Sequence, residues 1–457
     1  MTLDASRRAF LQRASALSVA GIATPWAINL AAMGEAAAST ATDYKALVCI
    51  FLYGGNDYGN TLIPYDNARY TIYQGMRPTL AYAQADLAAT VLAPSVALPG
   101  GDQYALAPEL APLLPLFSSN KLAVMLNVGT LVQPTAKADY TAKSVPLPPK
   151  LFSHNDQQSV WQSSAPEGAT SGWGGRMGDL FVSGNGNATF TCVNVSSNAV
   201  FLSGRTAVQY QVSSTGPVAL NGVKSPLFGS TTCSNALQAL VTAPRTHLFE
   251  SEYTRVMSRS LVAGDALTAA FAGGPTINTV FPADNGLADQ LEFVARMIST
   301  SNEVGAKRQV FFVSLGGFDN HDGLASIHPG LLTSVADAMS AFHAATVELG
   351  VANQVTTFTA SDFGRTLTGS NGSDHGWGSM HFMLGGAVHG GRFYGAVPEV
   401  ANDGPDDVGQ GRLLPSTSVD QYAATLGKWF GISDSNLLSV LPNLVHWNAS
   451  DRNLGFV

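Results

Sequence analysis

Apolar runs along the chain predict short buried strands that alternate with helices. Residues 46–53 read Ala-Leu-Val-Cys-Ile-Phe-Leu-Tyr without a polar interruption, which is typical of a strand buried on both faces of a parallel sheet. Strands are also predicted at 121–127, 309–315 and 354–359. Helices are predicted at 285–303, where apolar residues recur at helical spacing, and near 331–349. This alternation indicates parallel strands joined by crossover helices. We therefore expect an α/β fold with a mostly parallel sheet flanked by helices.

Residues 180–280 differ from their surroundings because they are rich in Ser, Thr, Gly and Val, with short alternations of apolar and polar positions. We expect an inserted subdomain there. The remainder of 39–457 is predicted to form the α/β domain itself, since about 420 residues suffice for one large domain of this class or two smaller ones.

Residues 1–38 are predicted to be an export signal that is removed from the mature protein. The string Ser-Arg-Arg-Ala-Phe-Leu at 6–11 resembles the twin-arginine signal closely, and an apolar stretch at 14–32 and Ala-Ala-Ala at 36–38 follow it. These are the three parts of a signal peptide in their usual order. Pro25 and Asn29 interrupt the apolar stretch, so we expect no permanent membrane span. The predicted partner is the twin-arginine translocase, and the predicted location is the periplasm or the exterior.

The charge balance argues against a nucleic-acid partner. Without the three arginines and two acidic residues of positions 1–38, the 24 basic and 32 acidic residues of the chain leave a net charge of −9. An acidic protein without basic runs is a poor binder of nucleic acids and of anionic membranes.

The three cysteines offer no thiolate metal site, because no Cys-x-x-Cys pattern occurs. Cys49 lies inside the first predicted strand and is expected to be a core thiol. Cys192 and Cys233 either pair in an oxidising compartment or stay free, since the sequence does not give their distance.

Three predicted strands each lead into an aspartate: Asp57, Asp319 and Asp362. In open α/β sheets, ligands bind outside the carboxyl ends of the strands, so we expect these carboxylates to meet there. Their mutual repulsion requires a cation. His321 and His375 lie in glycine-rich loops close by in the sequence, and carboxylates together with imidazoles suit Zn²⁺, Mn²⁺ or a related ion.

Each of these residues also has a purely structural interpretation. An aspartate after a strand is often a turn former or a helix N-cap, and a histidine in a glycine-rich loop is often a surface group. The repetition of the strand-then-acid pattern is what favours a site. Among the other histidines, His328, His381 and His389 are candidates for the surroundings of the site, while His247, His343 and His446 are expected to be structural.

Ser153 is a candidate nucleophile, because it precedes a predicted helix start in Phe-Ser-His-Asn-Asp. Unpaired amides at a helix N-terminus favour developing negative charge, and a nearby cation activates a hydroxyl. Alternatively, Ser153 is only an N-cap. Arg176 and Arg365 are candidate clamps for an anion, or are structural.

Taken together, the motifs resemble one bacterial family, called domain of unknown function fifteen-oh-one. They are the twin-arginine start, Gly-Gly-Asn-Asp-Tyr-Gly-Asn-Thr-Leu-Ile-Pro-Tyr, Ser-His-Asn-Asp, Phe-Asp-Asn-His, Asp-Phe-Gly-Arg-Thr and Asp-His-Gly-Trp. That family is distantly similar to the alkaline phosphatase and sulfatase superfamily. The resemblance implies an alkaline-phosphatase-like fold, a nucleophile at Ser153, and metal ligands at Asp57, Asp319, His321, Asp362 and His375.

Two features depart from the superfamily pattern. An Asp-His pair that binds one metal is Asp362-Phe363 here, and Asp319 and His321 are closer in sequence than is usual. A one-metal site, or a remodelled site without metal, therefore fits as well as a two-metal site.

The leading hypothesis is a secreted hydrolase of phosphate or sulfate esters that depends on a divalent cation such as Zn²⁺, Mn²⁺, Mg²⁺ or Ca²⁺. Its substrate would be an anionic small molecule or polymer. The rival hypothesis is a non-catalytic envelope protein that binds a ligand or partner through a degenerate metal site.

Overall fold

The computed structural model describes residues 41–197, 199–218 and 220–457. The predicted export signal at 1–38 lies outside the described residues. The strands are β1 Lys45–Leu52, β2 Leu62–Pro64, β3 Tyr104–Leu106, β4 Leu122–Gly129, β5 Cys192–Asn194, β6 Tyr210–Gln211, β7 Arg308–Leu315, β8 Val355–Ser361, β9 Ser379–Gly385, β10 Phe393–Tyr394 and β11 Thr417–Ser418.

The α-helices are α1 Asn67–Met76, α2 Leu114–Ser118, α3 Lys137–Ala142, α4 His154–Ser163, α5 Trp173–Asp179, α6 Thr231–Thr242, α7 Leu248–Gly273, α8 Gly286–Ser299, α9 Leu324–Glu348, α10 Val419–Phe430 and α11 Asp434–Val440. Short 3-10 helices lie at Tyr58–Asn60, Gln84–Thr90, Pro99–Gly101, Pro108–Leu113, Val182–Gly184, Ala188–Phe190, Val200–Leu202, Ala352–Gln354, Pro442–His446 and Ala449–Asp451.

A mostly parallel sheet forms the centre of the protein. Among the described residues it has nine strands, in the order β10-β4-β9-β8-β1-β7-β5-β6, with β11 pairing to β4. The central strand β1 pairs in parallel with both β7 and β8, while β9 runs antiparallel to β4 and β8. This sheet confirms the predicted α/β class. It also places the carboxyl ends of β8, β1 and β7 side by side.

Both faces of the sheet are covered, and β1 shows how its sequence achieves this. Ala46, Val48 and Ile50 pack in a core that includes α8 and α9. Leu47 and Cys49 point the other way, into a core that includes α5 and α10. Because successive side chains of a strand alternate between faces, a strand with helices on both sides needs an unbroken apolar run.

The predicted strands and helices are found with small shifts at their ends. Helix α9 is the largest difference, since it begins at Leu324, seven residues before the expected start, and continues through Pro329. Residues 180–280 contribute β5 and β6 to the edge of the main sheet as well as helices α6 and α7; their status as an insertion stays a prediction. Within the part of the chain that is described, no helix is both long and apolar enough to cross a membrane.

The cysteines are free thiols. Cys49 is buried in the core, as expected. Cys192 is also buried, whereas Cys233 is exposed, so the structure contains no bridge between them. Burial raises the pKa of the Cys49 thiol well above its ordinary value, which suits an inert core residue.

A glycine turn after β1 brings the loops of the three central strands together. Gly54 has a φ of +116°, and a Cβ built on it would lie 2.3 Å from the backbone nitrogen of Asp319. Only glycine permits both this backbone conformation and this close approach. The turn therefore positions the loop that follows β7 against the end of β1.

Candidate metal centre

The three aspartates predicted at strand ends do lie beyond three adjacent strands. Asp362 follows β8 directly, Asp57 follows β1 through the glycine turn, and Asp319 follows β7. The strand ends are tied together by Ser361, whose hydroxyl donates to the carbonyl of Leu52 at 2.6 Å. The contacts of the three carboxylates are nevertheless very different from one another.

Asp57 forms a buried ion pair. Its Oδ2 lies 2.8 Å from Nη2 of Arg77, and both side chains are almost fully buried. The same oxygen accepts a hydrogen bond from the hydroxyl of Ser373 at 2.8 Å, while Oδ1 accepts from the amide of Asn60 at 3.0 Å. Burial alone would raise the pKa of Asp57, but the Arg77 guanidinium outweighs it and holds the pKa below its usual value. Both oxygens are thus engaged by the protein.

Asp319 is half exposed and stands at the centre of a histidine cluster. Its Oδ1 lies 3.0 Å from Nε2 of His321 and 3.2 Å from Nε2 of His375. Its Oδ2 lies 3.3 Å from Nε2 of His154. Arg365 donates from Nη1 to Oδ1 at 2.6 Å and, against the opposing effect of burial, helps to hold the pKa of Asp319 below its usual value. Three imidazoles therefore converge on one carboxylate.

His375 and His321 face each other through ring nitrogens. Nδ1 of His375 lies 2.6 Å from the carbonyl oxygen of Phe152, and a carbonyl only accepts, so this nitrogen carries the proton. Nε2 of neutral His375 then presents a lone pair toward Nε2 of His321 at 2.9 Å. Burial lowers the pKa of His375, which favours this neutral form.

His154, the first residue of α4, completes the cluster. Its Nδ1 lies 2.6 Å from Oδ2 of Asp362. Its Nε2 is buried and has no hydrogen-bond partner among the described residues, because the 3.3 Å approach to Asp319 lacks hydrogen-bond geometry. Mainly through its hydrogen bond, Asp362 raises the pKa of His154. We define the Asp319 cluster as Asp319, His154, His321 and His375.

His154 was not among the predicted site residues, because Ser153 was the residue selected from that segment. The sequence did contain a signal for it. Phe363 replaces a metal-binding histidine of the superfamily pattern and cannot bind a metal, so another segment had to supply the imidazole. Ligand atoms of His154, Asp319 and His375 lie within 4.8 Å of one another, as do those of His321, Asp374 and His375. Asp374, also missed, is paired with Arg412 at 2.8 Å.

Ser153 lies at the start of α4, as predicted, and takes the N-cap position. Its hydroxyl makes no capping bond to a helix amide within the described structure. It donates instead to Oδ2 of Asp156 at 3.1 Å, and Nζ of Lys150 lies 3.4 Å from the same oxygen. The N-cap function of the side chain is therefore not observed, and a serine–carboxylate pair stands in its place.

The two candidate clamps are both used inside the protein. Arg176 donates to the carbonyls of Ser163, Ser171 and Val440, and burial lowers its pKa to about 10. Arg365 is buried and donates to Asp319, to the carbonyl of Gly54 and to the carbonyl of Ser373. These contacts give neither arginine a free edge for a substrate anion.

The remaining histidines are core or surface groups. His328 is buried with Nε2 at 3.0 Å from Oδ1 of Asn56, and burial lowers its pKa to about 4. His381 is buried against Trp161, and burial lowers its pKa to about 3. His389 bonds to the carbonyl of Gly455. None of these three appears in the donor sets described above.

One comparison with known proteins identifies the family, and none identifies the activity. The model of a family described as "Protein of unknown function (DUF1501)" matches residues 44–441. No curated protein matches the sequence.

Several solved structures are similar in chain path. The lipoteichoic acid synthase LtaP from Listeria monocytogenes has 8% identity and a TM-score of 0.34, with 89% of this chain and 77% of that chain covered. The PsFucS1 sulfatase from Pseudoalteromonas sp. has 9% identity and a TM-score of 0.31, covering 88% and 71%. The phosphonate monoester hydrolase SpPMH from Silicibacter pomeroyi has 11% identity and a TM-score of 0.32, covering 85% and 73%.

The buried pair of Asp57 and Arg77 leads to a stability prediction. Replacing Arg77 with Met should destabilise the protein by about 3–5 kcal/mol at pH 7, because a buried carboxylate is left without its partner. The loss should shrink as the pH falls below about 4, where Asp57 is protonated in the unfolded chain and the pair contributes less. Urea unfolding at several pH values measures both effects.

The control is the double variant Arg77→Met with Asp57→Asn, which removes both charges. It should be more stable than Arg77→Met alone. A double variant that is less stable than the single one, or a single variant within 1 kcal/mol of wild type, would contradict the importance of the pair.

Proposed function

The chain belongs to the DUF1501 family, and for this member we propose a centre for one divalent cation that serves the hydrolysis of phosphate or sulfate esters. The observation that carries the proposal is the convergence of three imidazole nitrogens on the carboxylate of Asp319.

The donor atoms of the Asp319 cluster suit a bound cation better than hydrogen bonds to one another. His154 presents a buried Nε2 with no hydrogen-bond partner among the described residues, and Nε2 of His375 and Nε2 of His321 are 2.9 Å apart. The lone pair on Nε2 of His375 accepts a hydrogen bond from His321 when His321 carries its proton on Nε2. With that proton on Nδ1 of His321, both Nε2 atoms present lone pairs that a cation can bind. Three imidazoles and one carboxylate suit Zn²⁺ or a similar transition metal, whereas Mg²⁺ and Ca²⁺ prefer oxygen ligands.

The charges around the cluster support one cation rather than two. Asp57, which the resemblance implied as a ligand, is already neutralised by Arg77. Asp374 is paired with Arg412. A second cation at Asp57 would have to displace the buried Arg77 guanidinium, which leaves buried charge uncompensated. We therefore keep Asp319, His321 and His375 from the expected ligands and add His154.

The chain supplies a nucleophile and a proton acceptor beside the cluster. Ser153 adjoins His154, and its hydroxyl donates to Asp156, so this carboxylate is placed to take the proton when the oxygen attacks the phosphorus or sulfur atom of an ester. The bond from that atom to the alcohol oxygen breaks, and the alcohol leaves with a proton from solvent. Water then cleaves the serine ester and releases phosphate or sulfate. A bound cation would stabilise negative charge on the ester. Arg176 and Arg365 have no support as anion clamps, whereas the Nζ group of Lys150 is largely exposed close to Asp156.

The rival function, a non-catalytic binding protein, is favoured by one observation. The contacts of Ser153 join it to Asp156 rather than to any imidazole of the Asp319 cluster. A protein that only binds a ligand through its cation would need nothing more from Ser153 than this structural contact.

We also propose export by the twin-arginine translocase to the periplasm or beyond, on the basis of the Arg7-Arg8 motif. Changing both arginines to lysine should leave the precursor in the cytoplasm, because that pathway reads the arginine pair. Fractionation of cells that express each form measures the effect. Export of the double variant at the wild-type level would contradict this pathway.

The metal centre predicts the metal content of the purified protein. Protein prepared without chelator should contain about one divalent ion per chain, and its removal should lower the melting temperature, since binding stabilises the folded state. His375→Ala should lose most of the metal, whereas His389→Ala, a histidine that bonds elsewhere, should keep it. Metal-free wild-type protein that cannot be reloaded would overturn the centre.

Ser153 separates the enzyme from the binding protein. If it is the nucleophile, Ser153→Ala should abolish hydrolysis of activated phosphate and sulfate esters with little change in stability. Ser433, whose hydroxyl does cap α11, is the matched control, and Ser433→Ala should cost about 1 kcal/mol without affecting turnover. Full activity in Ser153→Ala would exclude the nucleophile, and a metal-loaded wild type that cleaves neither ester would support the rival.

A further inference from the structure

We infer that Asp362 positions His154 for the cation and is not itself a ligand; this inference rests on the proposed metal centre. Asp362 is completely buried at the end of β8. Neither donor set with ligand atoms within 4.8 Å of one another includes it. Its contacts run instead to helix α4 through Oδ2, while Oδ1 is buried with no hydrogen-bond partner among the described residues.

Two donors from α4 fix the role of the Asp362 carboxylate. Oδ2 lies 2.6 Å from Nδ1 of His154 and accepts from Nε2 of Gln158 at 2.8 Å. The two side chains are four residues apart and therefore lie on the same face of the helix. The amide nitrogen of Gln158 can only donate, which identifies the shared Oδ2 as an acceptor.

This hydrogen bond selects the tautomer of His154. With a carboxylate acceptor at Nδ1, the proton of the neutral ring resides there, and Nε2 keeps its lone pair. That nitrogen is the one that approaches Asp319 and lacks a partner in the described structure. A carboxylate behind a metal-binding histidine orients the ring and raises its basicity in this way.

The side chain of Phe363, next to Asp362, packs against two imidazole rings and restricts their orientation. Phe363 is buried, and its ring centroid lies 4.9 Å from that of His154 and 4.8 Å from that of His375. The end of β8 thus supplies a hydrogen bond from Asp362 and a packing surface from Phe363. Although neither residue binds the cation, together they set where two of the three imidazoles point.

The test measures cation binding directly. Co²⁺ serves as the probe, since its absorption spectrum reports the ligand set and its titration gives an affinity. Asp362→Asn should bind Co²⁺ about 10- to 100-fold more weakly than wild type, the usual effect of losing such a supporting group, with an unchanged spectral shape. His154→Ala should change the spectrum, because a ligand is lost. Asp420→Asn, another fully buried aspartate, which bonds to Ser164, is the matched control and should bind like wild type.

A second measurement needs no folded Asp362 variant. In metal-free wild-type protein, ¹⁵N-detected histidine spectra should show His154 protonated at Nδ1, with the signal assigned by its loss in His154→Gln. An Nε2-protonated ring, an altered Co²⁺ spectrum in Asp362→Asn, or wild-type affinity in that variant would overturn the positioning role. A wild-type protein that binds no Co²⁺ would overturn the metal centre and, with it, this inference. If the wild-type protein binds Co²⁺ but one of the three results just given is found, the positioning role of Asp362 fails and the metal centre stands.

Discussion

The stabilisation of three carboxylates at neighbouring strand ends is the constraint on which the site depends. Parallel strands β8, β1 and β7 deliver Asp362, Asp57 and Asp319 to one edge of the sheet, where like charges in a partly buried setting are unfavourable. The protein stabilises each charge differently: the Arg77 guanidinium pairs with Asp57, hydrogen bonds from His154 and Gln158 stabilise Asp362, and Arg365 pairs with the half-exposed Asp319. Asp319 also faces three imidazole nitrogens, of which Nε2 of His154 has no hydrogen-bond partner among the described residues, which is why we place the proposed cation there.

Helix α4 connects the stabilised aspartates to the candidate nucleophile. Its first residue bridges Asp362 and Asp319, and the residue before it offers a hydroxyl to Asp156. On the other side of that serine, the carbonyl oxygen of Phe152 accepts a hydrogen bond from Nδ1 of His375. Phe152 has a φ of +71°. One short segment therefore orients two imidazoles and a candidate nucleophile, so a small movement of α4 would disturb both the proposed cation site and the proposed nucleophile.

The sequence was sufficient for the sheet and for part of the cluster. An unbroken apolar run identifies β1, because a strand covered on both faces is largely apolar. Strands β7 and β8 are identified by the alternation of strands and helices, and the residues that follow them include Asp319 and Asp362. His154 and Arg77 were not predicted, because their partners lie 208 and 20 residues away in sequence and spacing alone carries no information on such contacts. The same limit explains why the contacts of Arg176 were not predicted. Its carbonyl partners come from loops and helix ends that only the folded chain brings together.

The central claim is that one cation binds at the Asp319 cluster while Asp57 remains paired with Arg77. Anomalous diffraction at the absorption edge of zinc, from crystals of protein loaded with Zn²⁺, tests it most directly. The account predicts a single peak enclosed by His154, Asp319, His321 and His375, and an intact ion pair at Asp57. Two peaks, a peak at Asp57 with Arg77 displaced, or no peak at all would contradict it.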